Sequence, residues 1–336
     1  MPFPGGAGPG RLFRMSTENT PRTGTTMRVI GQDVLGGPEA LKQTEAERPA
    51  PRPNEVLVRV RAAGVNPTDW KHRATGGFLG EPPFVLGWDV SGTVEAVGVG
   101  VAAFTPGDDV FGMLPYPFGH GSHAEYVIAP TRALWHKPEG VDHVQAGALP
   151  LVSLTAWQAL TEHADVRPGQ RVLIHAAAGG VGHVAVQIAK ARGAYVIGTA
   201  SAGKHDFLRE IGVDEPVDYR TTDVTETVRD VDVVLDTLGG ETSVRSLRVL
   251  RPGGVVVSIL PHGSAEFPEE AERLGVRAVR MLVDADRTGM ERVAELVESG
   301  KLRATIAGTF PLADAAKAHE LGETGRTAGK LVLTMD

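Results

Sequence analysis

The chain has 336 residues, 42% apolar and 22% charged, with a net charge of −7, a pI near 5.9 and no cysteine. That length exceeds the roughly 250–300 residues at which one core tends to split, so two domains are expected. The acidic balance counts against a nucleic-acid or anionic-membrane surface, no stretch approaches the ~18 uninterrupted apolar residues of a membrane span, and the lack of Cys excludes disulfides, thiolate zinc sites and Cys nucleophiles.

Met1 to Thr26 is rich in Gly, Pro, Ser and Thr and lacks the apolar stretch of a secretory signal. It reads as a flexible tail, with Met15 and Met27 as alternative starts. From Met27 to about Leu149 the pattern is short strands and dense turns. Val56–Ala62 (VLVRVRA) alternates apolar and charged residues, as a half-buried strand does. Gly and Pro punctuate the rest, and helical periodicity is scarce, so an antiparallel β domain, a barrel, is expected.

The pattern changes after Pro150. Val172–Ala176, Tyr195–Thr199, Val231–Thr237, Val255–Leu260 and Ala278–Val283 are compact β-type runs. Helical segments lie between them, at Val181–Arg192, Lys204–Ile211, Thr242–Leu250 and Glu269–Leu274. Such alternation implies an α/β fold with a parallel sheet covered on both faces. A further amphipathic helix is expected at Glu291–Ser299, another at Ala313–Leu321, and a last strand at Lys330–Thr334.

The strand RVLIHAA runs into AGGVG and then a helix. Gly179, Gly180 and Gly182 allow the backbone to approach a pyrophosphate, and the helix N-terminus offers that anion free N–H groups. A tight turn without a ligand is the plain alternative. The position between a strand and a helix that opens a βαβ series favours a dinucleotide. An NAD site carries an acid about 20 residues on. Here the second strand ends YVIGTAS without one, and Ser201 and Lys204 follow. A hydroxyl and an ammonium suit the 2′-phosphate of NADP(H), although Lys204 taken alone also reads as a solvated helix residue.

His120 and His123 (GHGSH) are the remaining metal-like spacing, but a glycine-rich loop does not hold such a pair on one face. No metal is expected. A plain ketone is then the harder substrate, because its developing alkoxide lacks a Lewis acid. Quinones and enones delocalise the charge and fit better.

Several segments together resemble the zinc-free medium-chain dehydrogenase/reductase superfamily, in its quinone oxidoreductase (zeta-crystallin-like) branch. They are AAGVNPTDWKHR (Ala62–Arg73), GWDVSGTVEAVG (Gly87–Gly98), GDDVFG (Gly107–Gly112), HAEY (His123–Tyr126), LPLVSLTAWQAL (Leu149–Leu160), AAAGGVG, DTLGG (Asp236–Gly240), FPLADAAKAHE and GKLVL. The resemblance implies a GroES-like β-barrel catalytic domain from residues 27–149 and 285–336, a Rossmann doubly wound sheet at 150–284, and an active site in the cleft. It also implies an NADPH-dependent oxidoreductase, a cytoplasmic homodimer acting on a small quinone or enone. Residue by residue it implies that Asn66 lies near the nicotinamide and that Thr155 approaches the cofactor. Gly179, Gly180, Val181 and Gly182 match the pyrophosphate loop, Ser201, Lys204 and Tyr219 the 2′-phosphate positions, and Leu238, Ile259 and Leu260 the nicotinamide half. Trp88-Asp89 stand where zinc-dependent relatives have His-Glu, and Trp70, Lys71 and His72 stand where quinone oxidoreductases often carry tyrosines. The NPTDWK wording also resembles trans-acting enoyl reductases that work on carrier-bound thioesters.

The catalytic candidates are Asn66, Asp69 and Lys71. Asn66 orients substrate or nicotinamide, or starts a turn before Pro67. Lys71 donates to a developing enolate or relays a proton, or is a surface partner of Asp69. Asp69 reads as an orienting or structural carboxylate, Trp70 as packing, His175 as a hydrogen-bonded core histidine, His183 as decoration of a helix turn, Glu125 as structural, and Asp236 as a ligand contact or a turn cap. A non-catalytic NADPH-binding protein is the alternative from another class.

Overall fold

The computed structural model describes residues 26–260 and 264–335. The segment read as a tail therefore lies, up to residue 25, outside the described residues. Strand Glu55–Val65 is the axis of the first half of the chain. It pairs antiparallel with Asp89–Val97 on one side and Lys330–Thr334 on the other, and Tyr126–Pro130 adds to its first five residues. The whole sheet runs Ile306–Pro311, Lys330–Thr334, Glu55–Val65, Asp89–Val97, Asp109–Met113, Leu134–His136. The last thirty residues thus close a sheet begun near residue 55. A three-stranded sheet of Lys42–Glu47, Thr26–Gln32 and Phe84–Val85 lies beside it, joined by the bridge between Val29 and Ala124.

The second sheet has six strands, all parallel, in the order Glu215–Asp218, Tyr195–Ala200, Arg171–Ile174, Val231–Asp236, Leu250–Ser258, Arg277–Arg280. Counted along the chain, that order is 3-2-1-4-5-6, the Rossmann arrangement, whose ligand crevice opens where the winding reverses. The reversal falls between Arg171–Ile174 and Val231–Asp236. The glycine loop follows the first of these strands and Asp236–Gly240 the second.

Four α-helices of the described residues escape the sequence patterns, the short His143–Ala148 and Val224–Thr227 and two longer ones. Pro67–Thr75 starts after Asn66 with Pro at its first position, and the face it buries is polar: Asp69, His72 and Arg73. A helix that buries charge shows no apolar stripe, so periodicity passes over it. Pro150–Trp157 is buried from Pro150 to Ala156 and reads as an undifferentiated apolar run. Among the described residues no helix is long and apolar enough to cross a membrane.

Candidate active site

Strand Arg171–Ile174 is followed by His175, and helix Gly180–Ala191 begins five residues after it, behind Gly179 in extended conformation without a side-chain cap. The first N–H groups of that helix are therefore open to an anion. Gly179, Gly180 and Val181 are half-buried and face outward, whereas Gly182 is buried. A Cβ on Gly182 would collide with the Ala176 carbonyl oxygen and stand 2.7 Å from Ala177 Cα, so this glycine lets helix and strand pack closely. A Cβ on Gly180 would come 3.5 Å from Lys330 Cδ and from Val152 Cγ1, so this glycine packs against the last strand and helix Pro150–Trp157. This cradle, the uncapped helix end and the cations described next fit a phosphorylated dinucleotide.

Ser201 stands at the N-cap position of the turn after strand Tyr195–Ala200 without a side-chain capping bond, and no acid stands at that strand's end. Lys204 is half-buried and donates from Nζ to the carbonyl oxygens of Arg326 (2.9 Å) and Thr327 (3.3 Å). One ammonium hydrogen remains for a phosphate. The C-terminal segment that Lys204 holds brings the exposed Arg326 to this corner, and the buried Thr327 Oγ1 has no partner. Arg326 is the residue that sequence reasoning missed here: it lies 122 positions from Lys204, and no local motif announces it. Tyr219 and Leu238 are exposed, and Ile259 and Leu260 are half-buried just past strand Leu250–Ser258. Thr155 is buried, its hydroxyl donating to Leu151 O in its own helix (2.7 Å).

Asn66 and Asp69 are fully buried and meet Asp89 and Lys330. Asn66 Nδ2 donates to Asp89 Oδ2 (2.8 Å) and Gly64 O (3.3 Å), and Asn66 Oδ1 accepts from Lys330 Nζ. Lys330 Nζ also donates to Val65 O (3.0 Å) and Asp89 Oδ2 (3.3 Å). Asp89 Oδ1 accepts from Leu151 N–H (2.6 Å). Gly64 has no side chain because a Cβ there would run into the Asp89 carboxylate. Asp69 Oδ2 accepts from Asn66 N–H (2.7 Å) and so ties down the start of the helix, while its Oδ1 has no hydrogen-bond partner. Burial pushes Asp69 up to about 7, and burial also raises Asp89 and lowers Lys330. The Asn66 amide has no hydrogen to spare for an acceptor oxygen. Lys330, absent from the candidates, supplies the buried ammonium. Lys71 stands exposed one turn along the helix, apart from this cluster.

On the same helix Thr68 and His72 open toward an aromatic wall. Thr68 Oγ1 lies 3.0 Å from Tyr116 Oη and 3.1 Å from His72 Nδ1. Rings of His72, Phe78, Trp88 and Tyr116 lie 5.1–6.2 Å apart in the wall they form. Trp88 is buried and donates to Pro117 O (3.1 Å), Tyr116 is half-buried and Phe118 is exposed.

The remaining histidines and acids are placed structurally. His175 Nε2 lies 2.9 Å from Ser246 Oγ. Asp236 accepts from Leu238 N–H, Gly239 N–H and the Ser243 hydroxyl, which makes it a turn cap. Glu125 pairs with Arg28. His183 corrects the expectation of a decorative residue: it is fully buried, with Nδ1 2.9 Å from Gly179 O and Nε2 accepting from Thr305 N–H (3.2 Å). Since Nε2 accepts, Nδ1 carries the hydrogen, and burial lowers the ring to about 4. His120 Nδ1 bonds Val85 O (2.7 Å), while His123 is buried 4.0 Å from Asp69, so the two do not converge.

Residues 52–139 match the family model of the alcohol dehydrogenase GroES-like domain, and residues 211–333 that of a zinc-binding dehydrogenase. A 2-haloacrylate reductase from a Burkholderia species is 36% identical over 324 residues, covering 89% of this chain and 96% of that protein. The solved structure of the quinone oxidoreductase from Coxiella burnetii matches with a TM-score of 0.88 at 37% identity, over 93% of this chain and 100% of that one. That of Escherichia coli quinone oxidoreductase complexed with NADPH matches with a TM-score of 0.84 at 30% identity, over 92% and 100%.

Proposed function

The chain belongs to the zinc-free medium-chain dehydrogenase/reductase superfamily, in its quinone oxidoreductase branch, and on that premise we propose that it reduces a quinone or an α,β-unsaturated carbonyl without zinc. It is an NADPH-dependent oxidoreductase. When bound, NADPH supplies a hydride, and a conjugated acceptor that takes it up carries the resulting negative charge on oxygen. The observation that carries the reading is the Thr68–Tyr116 hydroxyl pair, set in an aromatic wall on the helix that starts at Asn66. A planar acceptor stacks on such rings, and hydroxyl donors suffice for a delocalised anion.

In this reading the chain's own groups have separate tasks. Gly179 to Gly182 hold the pyrophosphate, and Ser201, Lys204, Tyr219 and Arg326 hold the 2′-phosphate. Thr155, Leu238, Ile259 and Leu260 flank the nicotinamide. Asn66 positions, and Asp69 fixes the start of the helix that carries Thr68. Tyr116 and Thr68 hold the acceptor oxygen, and Lys71 on the exposed face passes a proton inward through water. Residues 27–149 and 285–336 form the catalytic domain and 150–284 the coenzyme domain, in a cytoplasmic homodimer whose size light scattering would report.

The test is NADPH consumption against quinones, enals and 2-enoyl thioesters, free and carrier-bound, with and without a chelator. Turnover of free conjugated acceptors, indifferent to chelation, is expected. Inactivity on all of them with turnover of plain ketones would overturn the reading. A rate that requires the carrier would assign the chain to enoyl thioester reduction instead.

A further inference from the structure

We propose that Lys330 is a positioning residue that sets the coenzyme loop in register with the Asn66 end of helix Pro67–Thr75. Three observations carry this. The three ammonium hydrogens are all committed, to Val65 O, Asn66 Oδ1 and Asp89 Oδ2. Lys330 therefore contacts no acceptor; it acts through Asn66. Its hydrocarbon stem lies against the dinucleotide loop, with Cδ 3.5 Å from where a Cβ of Gly180 would be. The residue before it, Gly329, donates its N–H to Ala178 O (2.9 Å) in that loop. Gly329 must be glycine: its φ is +82°, and a Cβ would strike the Thr305 carbonyl. The dipeptide Gly329-Lys330 therefore touches the coenzyme loop on one side and Asn66 on the other.

The charge pattern agrees with that task. One ammonium faces two buried carboxylates, Asp89 from the strand on the far side of Glu55–Val65 and Asp69 from the helix. His123 from the loop before Tyr126–Pro130 and His183 from the coenzyme helix face the same ammonium as neutral rings. Burying such a set rarely adds stability over apolar packing, and its well-attested use is to fix one arrangement among several. Here that arrangement is the spacing between loop and helix. Small misplacements of bound reactants are expensive in rate.

This inference rests on the reading that the Asn66 helix flanks the reacting end of NADPH. Its test uses the full-length protein. In the double variant Lys330→Met with Asp89→Asn, the carboxylate at position 89 becomes an amide. The amide's carbonyl can still accept from Leu151 N–H, and its nitrogen can donate to Asn66 Oδ1 once the Asn66 amide, freed of Lys330, turns over; Asp69, already pushed up to about 7 by burial, loses the ammonium that favours its charged form and stays protonated. The expected result is a cooperative thermal transition, NADPH binding weaker by about tenfold in titration calorimetry, and kcat lower by about tenfold with little change in acceptor KM. A variant that folds and keeps both NADPH affinity and kcat would reduce Lys330 to a core ion pair and overturn the proposal. Hydrogen exchange on the wild-type protein decides the matter even if the variant does not fold. NADPH should protect residues 64–70 and 328–332 together with 176–183, and protection confined to 176–183 would overturn it. Wild-type protein that shows the joint protection yet reduces no conjugated acceptor would sink the functional reading and leave the role of Lys330 standing.

Discussion

Two carboxyl groups and one amine share the dry space under Asn66, where burial pushes both carboxyls up and the amine down. Asp89 receives Leu151 N–H, Asn66 Nδ2 and Lys330 Nζ, donors that favour the ionised form and oppose the rise that burial imposes. Asp69 receives Asn66 N–H on one oxygen and leaves the other unpaired, so burial wins and its pKa rises to about 7. A carboxyl that titrates higher in the folded protein takes up a proton on folding. Its contribution is present at acid pH and is lost as pH rises from its unfolded value of about 4 through about 7. Asp69→Asn, compared with wild type by denaturant unfolding across that range, should remove this decline; equal slopes would show that Asp69 is ionised when folded. Tyr116→Phe takes one hydroxyl from the pair with Thr68 and should lower kcat by about tenfold with folding intact, read in steady-state kinetics on a quinone. Lys204→Ala should raise the KM for NADPH by about tenfold and leave that for NADH within about twofold, because only the 2′-phosphate meets the ammonium.

At the scale of elements, the coenzyme helix is held from both ends of its first turn. Its N-terminus is uncapped by any side chain, which leaves N–H groups for phosphate. His183 on its inner face joins Gly179 O to Thr305 N–H and so ties the loop to the segment before the last strand. Gly182 sets how near this helix lies to strand Arg171–Ile174. Gly182→Ala would drive a methyl into Ala176 and Ala177 and should cost about 1–3 kcal/mol, the usual penalty of overpacking. Thermal unfolding with and without NADPH checks it: a loss of stability together with weaker stabilisation by NADPH is expected. Helix Pro67–Thr75 is organised the other way, through polar contacts. Arg73 bonds Gly36 O, His319 and Glu323, which clamps the helix to Ala315–Glu323. Its position depends on charged partners, so its sequence carries no amphipathic stripe.

Over the whole molecule, five buried histidines among the described residues titrate below their usual range, each mainly through burial: His183 at about 4, His123 at about 3 and His319 at about 2, with His72 and His175 lowered as well. The unfolded chain protonates them near 6.5 and the folded chain does not, so they withdraw stability as pH falls below about 6.5. Acid unfolding of wild type should therefore set in well above the carboxylate range, and His183→Gln should flatten that limb of the stability curve. Much of this architecture is legible in the chain itself. Local backbone and apolar pattern are sequence properties, so five of the six parallel strands, the glycine loop, the missing acid after the second strand and the final strand Lys330–Thr334 can all be read directly, while the short edge strand Glu215–Asp218, with only a proline and a valine between two acids, carries no such pattern. Boundaries shift where turn residues join a strand, as when Leu250–Ser258 begins five residues before the expected Val255. What tertiary structure alone decided is which side chains converge. Lys330 lies 264 residues from Asn66, Arg326 lies 122 from Lys204, and Thr68 lies 48 from Tyr116. No spacing rule links such pairs: the first is made by the last strand returning to a sheet begun near residue 55, and the other two by segments that only the folded chain brings together. Burial then shifted the protonation equilibria: Asp69 and Asp89 look alike in the sequence, both are pushed up in the folded chain, and they differ in the donors that the fold brings to each.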